Sequence, residues 1–358
     1  MRICTIVGAR PQFIKAATLS RILRTKHKEI LIHTGQHYDN NMSGIFFQEL
    51  SIPEPDYNLG IAGGSHGKMT GMMLIAIEEV LVKEKPDMVI VYGDTNSTLA
   101  GSLAAAKLHI PVCHVEAGGR LGTLNNPEEI NRIMTDHVST LLMCCVSSAV
   151  EFLKKENITK NVFLVGDLMF DAFLYYSEKL TDQHRTNIRD VYGNAPLIPD
   201  EYYYLTCHRE ENTHNDEPLL EILKAMNSLD AVTVYPVHPR NQERVMRLCG
   251  KHDFTNIIFT QPVSYFTSIS LVKDAKKVVT DSGGVQREAF FSGVPCVTVF
   301  DYVVWPETMM GAQNQLSKAK KEDILKKLSV TPIRDEDYMP FGDGNSAEKI
   351  TNLLTNFG

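Results

Sequence analysis

The feature that most constrains this chain is an alternation running through nearly its whole length: short β-branched runs, each followed by a longer segment with apolar residues at helical spacing. In the first half the runs are RICTIVG, EILIHTG, DMVIVYG, PVCHVEA, LLMCCV and NVFLVG. Helices are expected between them, from about Pro11, at 68–82, at 97–108 and after Pro127. Strands that alternate with helices predict βαβ units, and hence a parallel sheet covered on both faces. A helical segment at 167–180 and the loop GNAPLIPDE follow, and then a second alternation begins: YYYLTCH, AVTVYPVH, NIIFT, KKVVTDSGG and PCVTVF.

A chain of 358 residues exceeds the usual size of one hydrophobic core, so the two alternations read as two domains. We place a first Rossmann-like domain at 1–170 and a second at 171–345. The amphipathic segment 346–358 is expected to pack back onto the first. With 43% hydrophobic and 22% charged residues the composition is that of a globular protein, and a net charge of -7 without a basic, aromatic-interleaved run argues against nucleic acid as a partner. MRICTIVG lacks the pattern of a signal peptide and no apolar run is long enough to span a membrane, so a cytoplasmic protein without a membrane partner is expected. Seven cysteines, most of them inside apolar runs and with no C-x-x-C pair, read as reduced core residues, and no metal site is expected.

Open parallel sheets bind ligands beyond the carboxyl ends of their strands, and the polar residues of this chain gather at those ends. Gly8-Ala9-Arg10, Gly93-Asp94-Thr95 and His114 to Gly118 end strands of the first alternation; His208, His238 and Ser282-Gly283-Gly284 end strands of the second. Two such edges facing one another across a cleft would suit a ligand with two ends. The Ser282-Gly283-Gly284 turn opens a helix and offers backbone N–H groups and the positive end of a helix dipole, fit for a phosphate or serving only as a tight turn. The fingerprints G-x-G-x-x-G and G-x-x-x-x-G-K-[ST] are both missing, which removes support for nicotinamide and P-loop chemistry.

Arg10, in the loop that leaves the first strand, and Lys15 on the first helix could reach one anionic group. Asp94, Glu116 and Glu128 are either helix-cap and dipole residues or members of an acid–base set, with Glu116 the one favoured for chemistry. His208 and His238 each follow a strand and precede an Arg or Pro-Arg, equivalent positions beside the glycine turn. No G-x-S-x-G or H-E-x-x-H motif points to hydrolysis of those kinds.

Taken together, GARPQFIK (8–15), HTGQHYD (33–39), GDTNSTLAG (93–101), HVEAG (114–118), PEEINR (127–132), CHREEN (207–212), PVHPRN (236–241) and TDSGGVQREA (280–289) resemble, end to end, the non-hydrolysing UDP-N-acetylglucosamine 2-epimerase family. The resemblance implies a glycosyltransferase-B fold and a homodimer, with no cofactor and no metal. It implies that Ser282, Gly283, Gly284 and Glu288 hold UDP, with His238 also on the substrate, and that Arg10, Lys15, Asp94, Glu116, Glu128 and His208 are catalytic or sugar-binding positions. The implied reaction is anti elimination of UDP to a 2-acetamidoglucal, followed by re-addition with inversion at C2, and closure of the two domains about a hinge after Gly166. Gly119 replaces the usual Leu after HVEAG, Arg287 stands where an acidic residue is frequent, and Trp305 stands where an Arg is common. The last feature and GARPQFIKA are similar to the subgroup acting on UDP-2,3-diacetamido-2,3-dideoxyglucuronate. A glycosyltransferase of the same fold is the further alternative.

Overall fold

The computed structural model describes residues 1–35, 50, 52–181 and 183–357. Part of one motif, Gln36 to Asp39, lies outside them. The chain divides into two compact units, one formed by Met1–Leu174 with Met339–Gly358 and the other by Tyr175–Tyr338.

The described strands of the first unit are β1 (Arg2–Val7), β2 (Lys28–His33), β3 (Tyr57–Asn58), β4 (Met88–Tyr92), β5 (Val112–Val115), β6 (Leu141–Cys144) and β7 (Val162–Leu164). They form one parallel sheet in the order β3-β2-β1-β4-β5-β6-β7, with Val7 opposite His33 and Thr5 opposite Ile90. Helices α1 (Arg10–Leu23), α2 (His66–Glu84), α3 (Asn96–Lys107), α4 (Pro127–Val138), α5 (Ser147–Lys155) and the start of α6 (Leu168–Ser177) connect or follow these strands. Because helices cover both faces, the central strands are buried on both sides and read as unbroken apolar runs instead of alternating ones. One core brings Cys4, Ile6, Ile32, Val89 and Val91 of the sheet against Met73 and Ile77 of α2 and Ala100 and Ala104 of α3. Strand order reverses between β1 and β4, so the loops leaving these two strands diverge and open a crevice at the carboxyl edge.

The second unit repeats the plan. After α7 (Gln183–Thr186), its strands are β8 (Tyr202–Thr206), β9 (Val232–Pro236), β10 (Ile257–Thr260), β11 (Val278–Thr280), β12 (Cys296–Val299) and β13 (Asn314–Ser317), all parallel, in the order β10-β9-β8-β11-β12-β13. The helices are α8 (Glu210–Thr213), α9 (Asp216–Asn227), α10 (Gln242–Cys249), α11 (Tyr265–Lys273), α12 (Gly283–Ser292) and α13 (Lys321–Leu328). Here the order reverses between β8 and β11. His208 and the Ser282 turn follow these two strands. All seven cysteines are free thiols and six are buried, as the apolar runs predict. Among the described residues no helix is long and apolar enough to cross a membrane.

The last helix, α14 (Ser346–Phe357), lies on α1 of the first unit, where Lys26 Nζ donates to Asn352 (2.7 Å) and the His27 ring meets the Thr355 hydroxyl (2.9 Å). Its approach is fixed at the start of α6. The Asp167 N–H donates to the Phe341 carbonyl (2.9 Å), and the Asp171 carboxylate accepts from the Ala347 N–H (2.8 Å). Burial holds the Asp171 carboxyl above its ordinary range. Gly166 makes this contact possible: its φ is +91°, and a Cβ there would stand 2.7 Å from Ser346 Oγ and 3.0 Å from the Phe341 carbonyl oxygen.

Three local readings change. The first helix begins at Arg10, so Arg10 is a helical residue and not part of a loop. Strands β3 and β13 carry no clear apolar signal: the first is two residues long, and the second, NQLS, is an edge strand whose polar residues need not match a buried pattern. Gly166→Ala should lower the stability of the protein by about 1–3 kcal/mol through backbone strain and the clash with residues 341 and 346. Urea denaturation of the two proteins side by side measures this.

Candidate active-site residues

The crevice of the first unit is built around Gln12. Its Oε1 accepts from the backbone N–H groups of Gly8 (2.8 Å) and Ala9 (3.0 Å), while its Nε2 donates to the Tyr92 carbonyl (2.7 Å) and the Thr98 hydroxyl (2.9 Å). One buried amide therefore ties the turn after β1 to the end of β4 and the start of α3. The sequence reading did not single out Gln12. Its signal was its place three residues beyond the helix cap, where a Gln side chain can reach back to free N–H groups.

Lys15, one turn on, is buried and meets Glu116 Oε2 at 2.5 Å. Glu116 follows β5 with φ +68°, in the left-handed region that costs a non-glycine residue about 1–3 kcal/mol. Two hydrogen bonds hold it there: the N–H groups of Glu116 (3.0 Å) and Ala117 (3.1 Å) both donate to the Met143 carbonyl. The strained backbone aims this carboxylate at the ammonium group. Glu116, Cys145 and Asp167 also offer oxygen or sulfur atoms within 4.8 Å of one another, a donor set that could hold a cation. The Lys15 ammonium on Glu116 already supplies a positive charge there.

Asp94 could cap α3 or act in chemistry. The cap is Thr95, whose hydroxyl accepts from the Thr98 N–H, and Asp94 Oδ2 instead accepts from Arg132 Nη2 (2.8 Å) and Nε (3.1 Å). Arg132 also pairs with Glu129, whose buried carboxylate accepts from the Leu121 and Gly122 N–H groups (2.7 and 3.0 Å). The adjacent acids thus divide their work: Glu129 anchors the loop before α4, while Glu128 is exposed in the first turn, its N–H capped by Asn126. Sequence reasoning missed Arg132, although its spacing from Glu129 placed the two side by side on a helix.

His114 lies inside the fold. Its Nδ1 faces Asp136 Oδ1 and its Nε2 the Gly93 carbonyl, both at 2.7 Å, so each nitrogen meets an acceptor. Asp136 also accepts from Arg120 Nη1 (2.7 Å) and the Gly118 N–H (3.1 Å), and Arg120 grips Glu156 through Nε and Nη2. Burial opposes the charge on Asp136, but the His114 ring and the Arg120 guanidinium outweigh it and hold the carboxyl below its ordinary range. This network fixes the backbone on either side of Glu116.

In the second unit the organising group is Asp281, buried and also missed in the sequence, although it ends an apolar strand directly before the glycine turn. Its carboxylate accepts from the N–H groups of His208 (2.9 and 3.0 Å) and Arg209 (2.9 Å), and its Oδ1 lies 3.2 Å from His208 Nδ1. That contact favours the tautomer with the hydrogen on Nδ1 and the lone pair on Nε2. The His208 ring stacks on that of His238, with centroids 5.5 Å apart. The Ser282 side chain caps α12 by accepting from the Val285 N–H, placing Gly283 and Gly284 at the helix N-terminus. Trp305 covers one side of this turn, its Nε1 3.4 Å from where a Cβ on Gly283 would be, and the Arg287 guanidinium lies 4.2 Å from the centre of the Trp305 ring. Glu288 is buried beside Tyr265, whose hydroxyl is held well above its usual pKa by burial and then by this neighbouring charge. Of the expected site residues, the structure joins Lys15 to Glu116, and His208 to His238. Asp94 is joined to Arg132, and Glu128 and Arg10 occupy the first turns of their helices.

Two parallel, doubly wound sheets in one chain, each with polar groups collected at its switch point, are the architecture of the glycosyltransferase-B class. Residues 21–355 match the family model for UDP-N-acetylglucosamine 2-epimerase. The chain is 47% identical to a UDP-N-acetylglucosamine 2-epimerase homolog of Methanococcus maripaludis, covering 99% of this chain and 100% of that protein. It is 43% identical to the UDP-2,3-diacetamido-2,3-dideoxy-D-glucuronate 2-epimerase of Pseudomonas aeruginosa, covering 99% of each. The crystal structure of the Methanocaldococcus jannaschii UDP-GlcNAc 2-epimerase in complex with UDP-GlcNAc and UDP superposes over 100% of both chains, with a TM-score of 0.90 and 39% identity. The chain belongs to the UDP-N-acetylglucosamine 2-epimerase family.

Asp136→Asn should destabilise the protein at neutral pH by about 3–5 kcal/mol, since it leaves the buried Arg120 guanidinium and the His114 ring short of an acceptor. The native carboxyl titrates below its ordinary value, so its contribution is complete above about pH 4 and is lost as pH falls through the depressed value. Denaturation curves across pH 2–7 (roughly the span of carboxylate titration) should therefore converge for the two proteins at the acid end.

Proposed function

We propose that this chain is a non-hydrolysing UDP-N-acetylglucosamine 2-epimerase, a metal-independent isomerase that interconverts UDP-GlcNAc and UDP-ManNAc. The observation that carries the reading is the Lys15–Glu116 pair: a carboxylate held in a strained backbone at a sheet's carboxyl edge, against a buried cation. Such a carboxylate is costly to build and is suited to proton transfer. In the reaction, a base takes the C2 proton, the electrons of that C–H bond form the C1=C2 bond, and the C1–O bond to the diphosphate breaks. UDP then adds back to C1 as a proton reaches C2 from the opposite face.

Each unit takes one end of the substrate. In the first, Glu116, Asp94 and Glu128 transfer protons and position the sugar, while Arg10 and Lys15 supply positive charge for the diphosphate as it departs. In the second, the Ser282 hydroxyl, the N–H groups of Gly283 and Gly284 and the dipole of α12 hold the diphosphate, Glu288 accepts from ribose hydroxyls, and His208, fixed by Asp281, acts with His238 at the phosphates. The enzyme works in the cytoplasm, supplying precursors for surface polysaccharide.

The diacetamido-glucuronate sugar is a second reading. It is favoured by the Pseudomonas relative, which is as similar as the Methanocaldococcus jannaschii UDP-GlcNAc epimerase at 42%, and by the Arg287–Trp305 stack. Incubating the protein with each nucleotide sugar in D₂O, with no metal or acceptor added, separates the two: deuterium at C2 and a manno epimer should appear with one of them. No exchange with either would point to a glycosyltransferase or a non-catalytic sensor. His208→Ala should remain folded by circular dichroism and lose turnover by about 10²–10⁴-fold.

Assembly as a homodimer is also proposed. Met72, Ile75 and Val82 of α2 and Ile130 and Met134 of α4 are exposed, on helices that flank α3, and a second copy of the same face would cover them. Ile75→Glu combined with Met134→Glu should convert a dimer to a monomer in sedimentation equilibrium. An unchanged mass would place the interface elsewhere.

A further inference from the structure

Trp305, the single tryptophan of the chain, covers the glycine turn that begins α12. Its carbonyl oxygen accepts from the Thr308 N–H (3.1 Å) and the Thr308 hydroxyl (2.8 Å), with Gln286 Nε2 at 3.5 Å. The same hydroxyl accepts from Gln286 Nε2 (2.7 Å) and from Asn314 Nδ2 (3.4 Å). A hydroxyl has one hydrogen to donate and two lone pairs to offer. All three are used here, by the Trp305 loop, by α12 and by β13, and Thr308, Gln286 and Asn314 are all buried. A threonine so placed joins three parts of the second unit at one oxygen.

We infer that Thr308, supported by Gln286, is a positioning residue: it locks Trp305 over the glycine turn and so builds one wall of the site proposed for the UDP diphosphate, the reading on which this inference rests. Gln286 belongs to the helix whose first turn is Gly283-Gly284, and the next residue, Arg287, sets its guanidinium 4.2 Å from the centre of the Trp305 ring. Helix α12 thus grips Trp305 by its backbone through Gln286 and Thr308 and by its ring through Arg287. The far end of the short 3-10 segment Pro306–Ala312 has its own attachment, the Ile333 N–H donating to the Gly311 carbonyl (2.8 Å). Loss of the Thr308 hydroxyl should therefore loosen the Trp305 end and leave the rest of the segment in place. UDP is part of the substrate and stays bound through the proposed intermediate, so a misplaced wall weakens binding throughout and raises KM more than it lowers kcat.

Because tryptophan emission comes from Trp305 alone, the place of the ring can be read in solution. The test compares the full-length native protein with Thr308→Val, which keeps the shape and removes the hydroxyl, and with Thr308→Ser, which keeps the hydroxyl. In Thr308→Val, acrylamide should quench the emission more strongly, and UDP titrated by calorimetry should bind about tenfold more weakly. KM for the nucleotide sugar should rise while kcat stays within about twofold. Thr308→Ser should retain native quenching, affinity and KM. Thr233→Val alters an equally buried threonine of β9 whose hydroxyl donates to the Met226 carbonyl (3.3 Å); it should lower thermal stability and move none of the three. A folded Thr308→Val with native quenching and native UDP affinity overturns the inference, as does an equal weakening of UDP by Thr233→Val. Should Thr308→Val not fold, Gln286→Met, which takes the amide donor from Thr308 and from the Trp305 carbonyl together, is decided by the same measurements. Quenching needs no ligand, so failure of Thr308 to place Trp305 is told apart from failure of the nucleotide reading, which shows as no UDP binding by the native protein.

Discussion

The hydrogen bonds of one buried amide, Gln12, set the geometry on which the first unit's chemistry depends. At the switch point of a parallel sheet the chain leaves adjacent strands in opposite directions, and nothing in the sheet itself fixes the distance between the two departing loops. Gln12 does so by accepting from the turn after β1 and donating to the end of β4. Lys15 is carried on the same helix, and Glu116 directly follows β5, the strand beside β4. A shift at Gln12 would therefore change the separation of the cation and the carboxylate.

The second unit solves the same problem with a charge. Asp281 gathers the N–H groups of His208 and Arg209 and touches the His208 ring, and Asn212 donates to it as well, at 3.2 Å. A buried carboxylate with so many donors is satisfied, whereas removal of any one donor leaves part of its charge exposed to a low-dielectric interior. Asp136 beneath Glu116 follows the same logic. Around each site a reactive side chain rests on a buried polar group whose own partners are complete.

Much of this was legible in the sequence because the central strands are apolar on both faces and end in polar residues at the binding edge. What the sequence could not supply was the choice among neighbours. Asp94 reads equally as a helix cap or a reactive acid, and the tie is broken by Arg132, which is 38 residues away in sequence. Glu128 and Glu129 are indistinguishable by type and differ only in the way α4 turns them, one outward and one into the loop before it. Strands β3 and β13 left no mark because an edge strand held mainly by backbone hydrogen bonds needs little apolar area. Gln12 and Asp281 act on main-chain groups, whose positions follow from the fold and not from any spacing of side-chain types.

The return of α14 to the first unit has a consequence for how the protein is made. Asp171 and Ala347, joined by a hydrogen bond, are 176 residues apart, and the whole of the second unit lies between them. On the ribosome the second unit is contiguous and can complete its core as soon as its own residues emerge. The first unit, though translated earlier, must wait with the surface beneath α14 uncovered until residues 339–357 arrive. Order of synthesis and order of completion are thus reversed, and the interval between them is when the nascent chain most needs protection from aggregation.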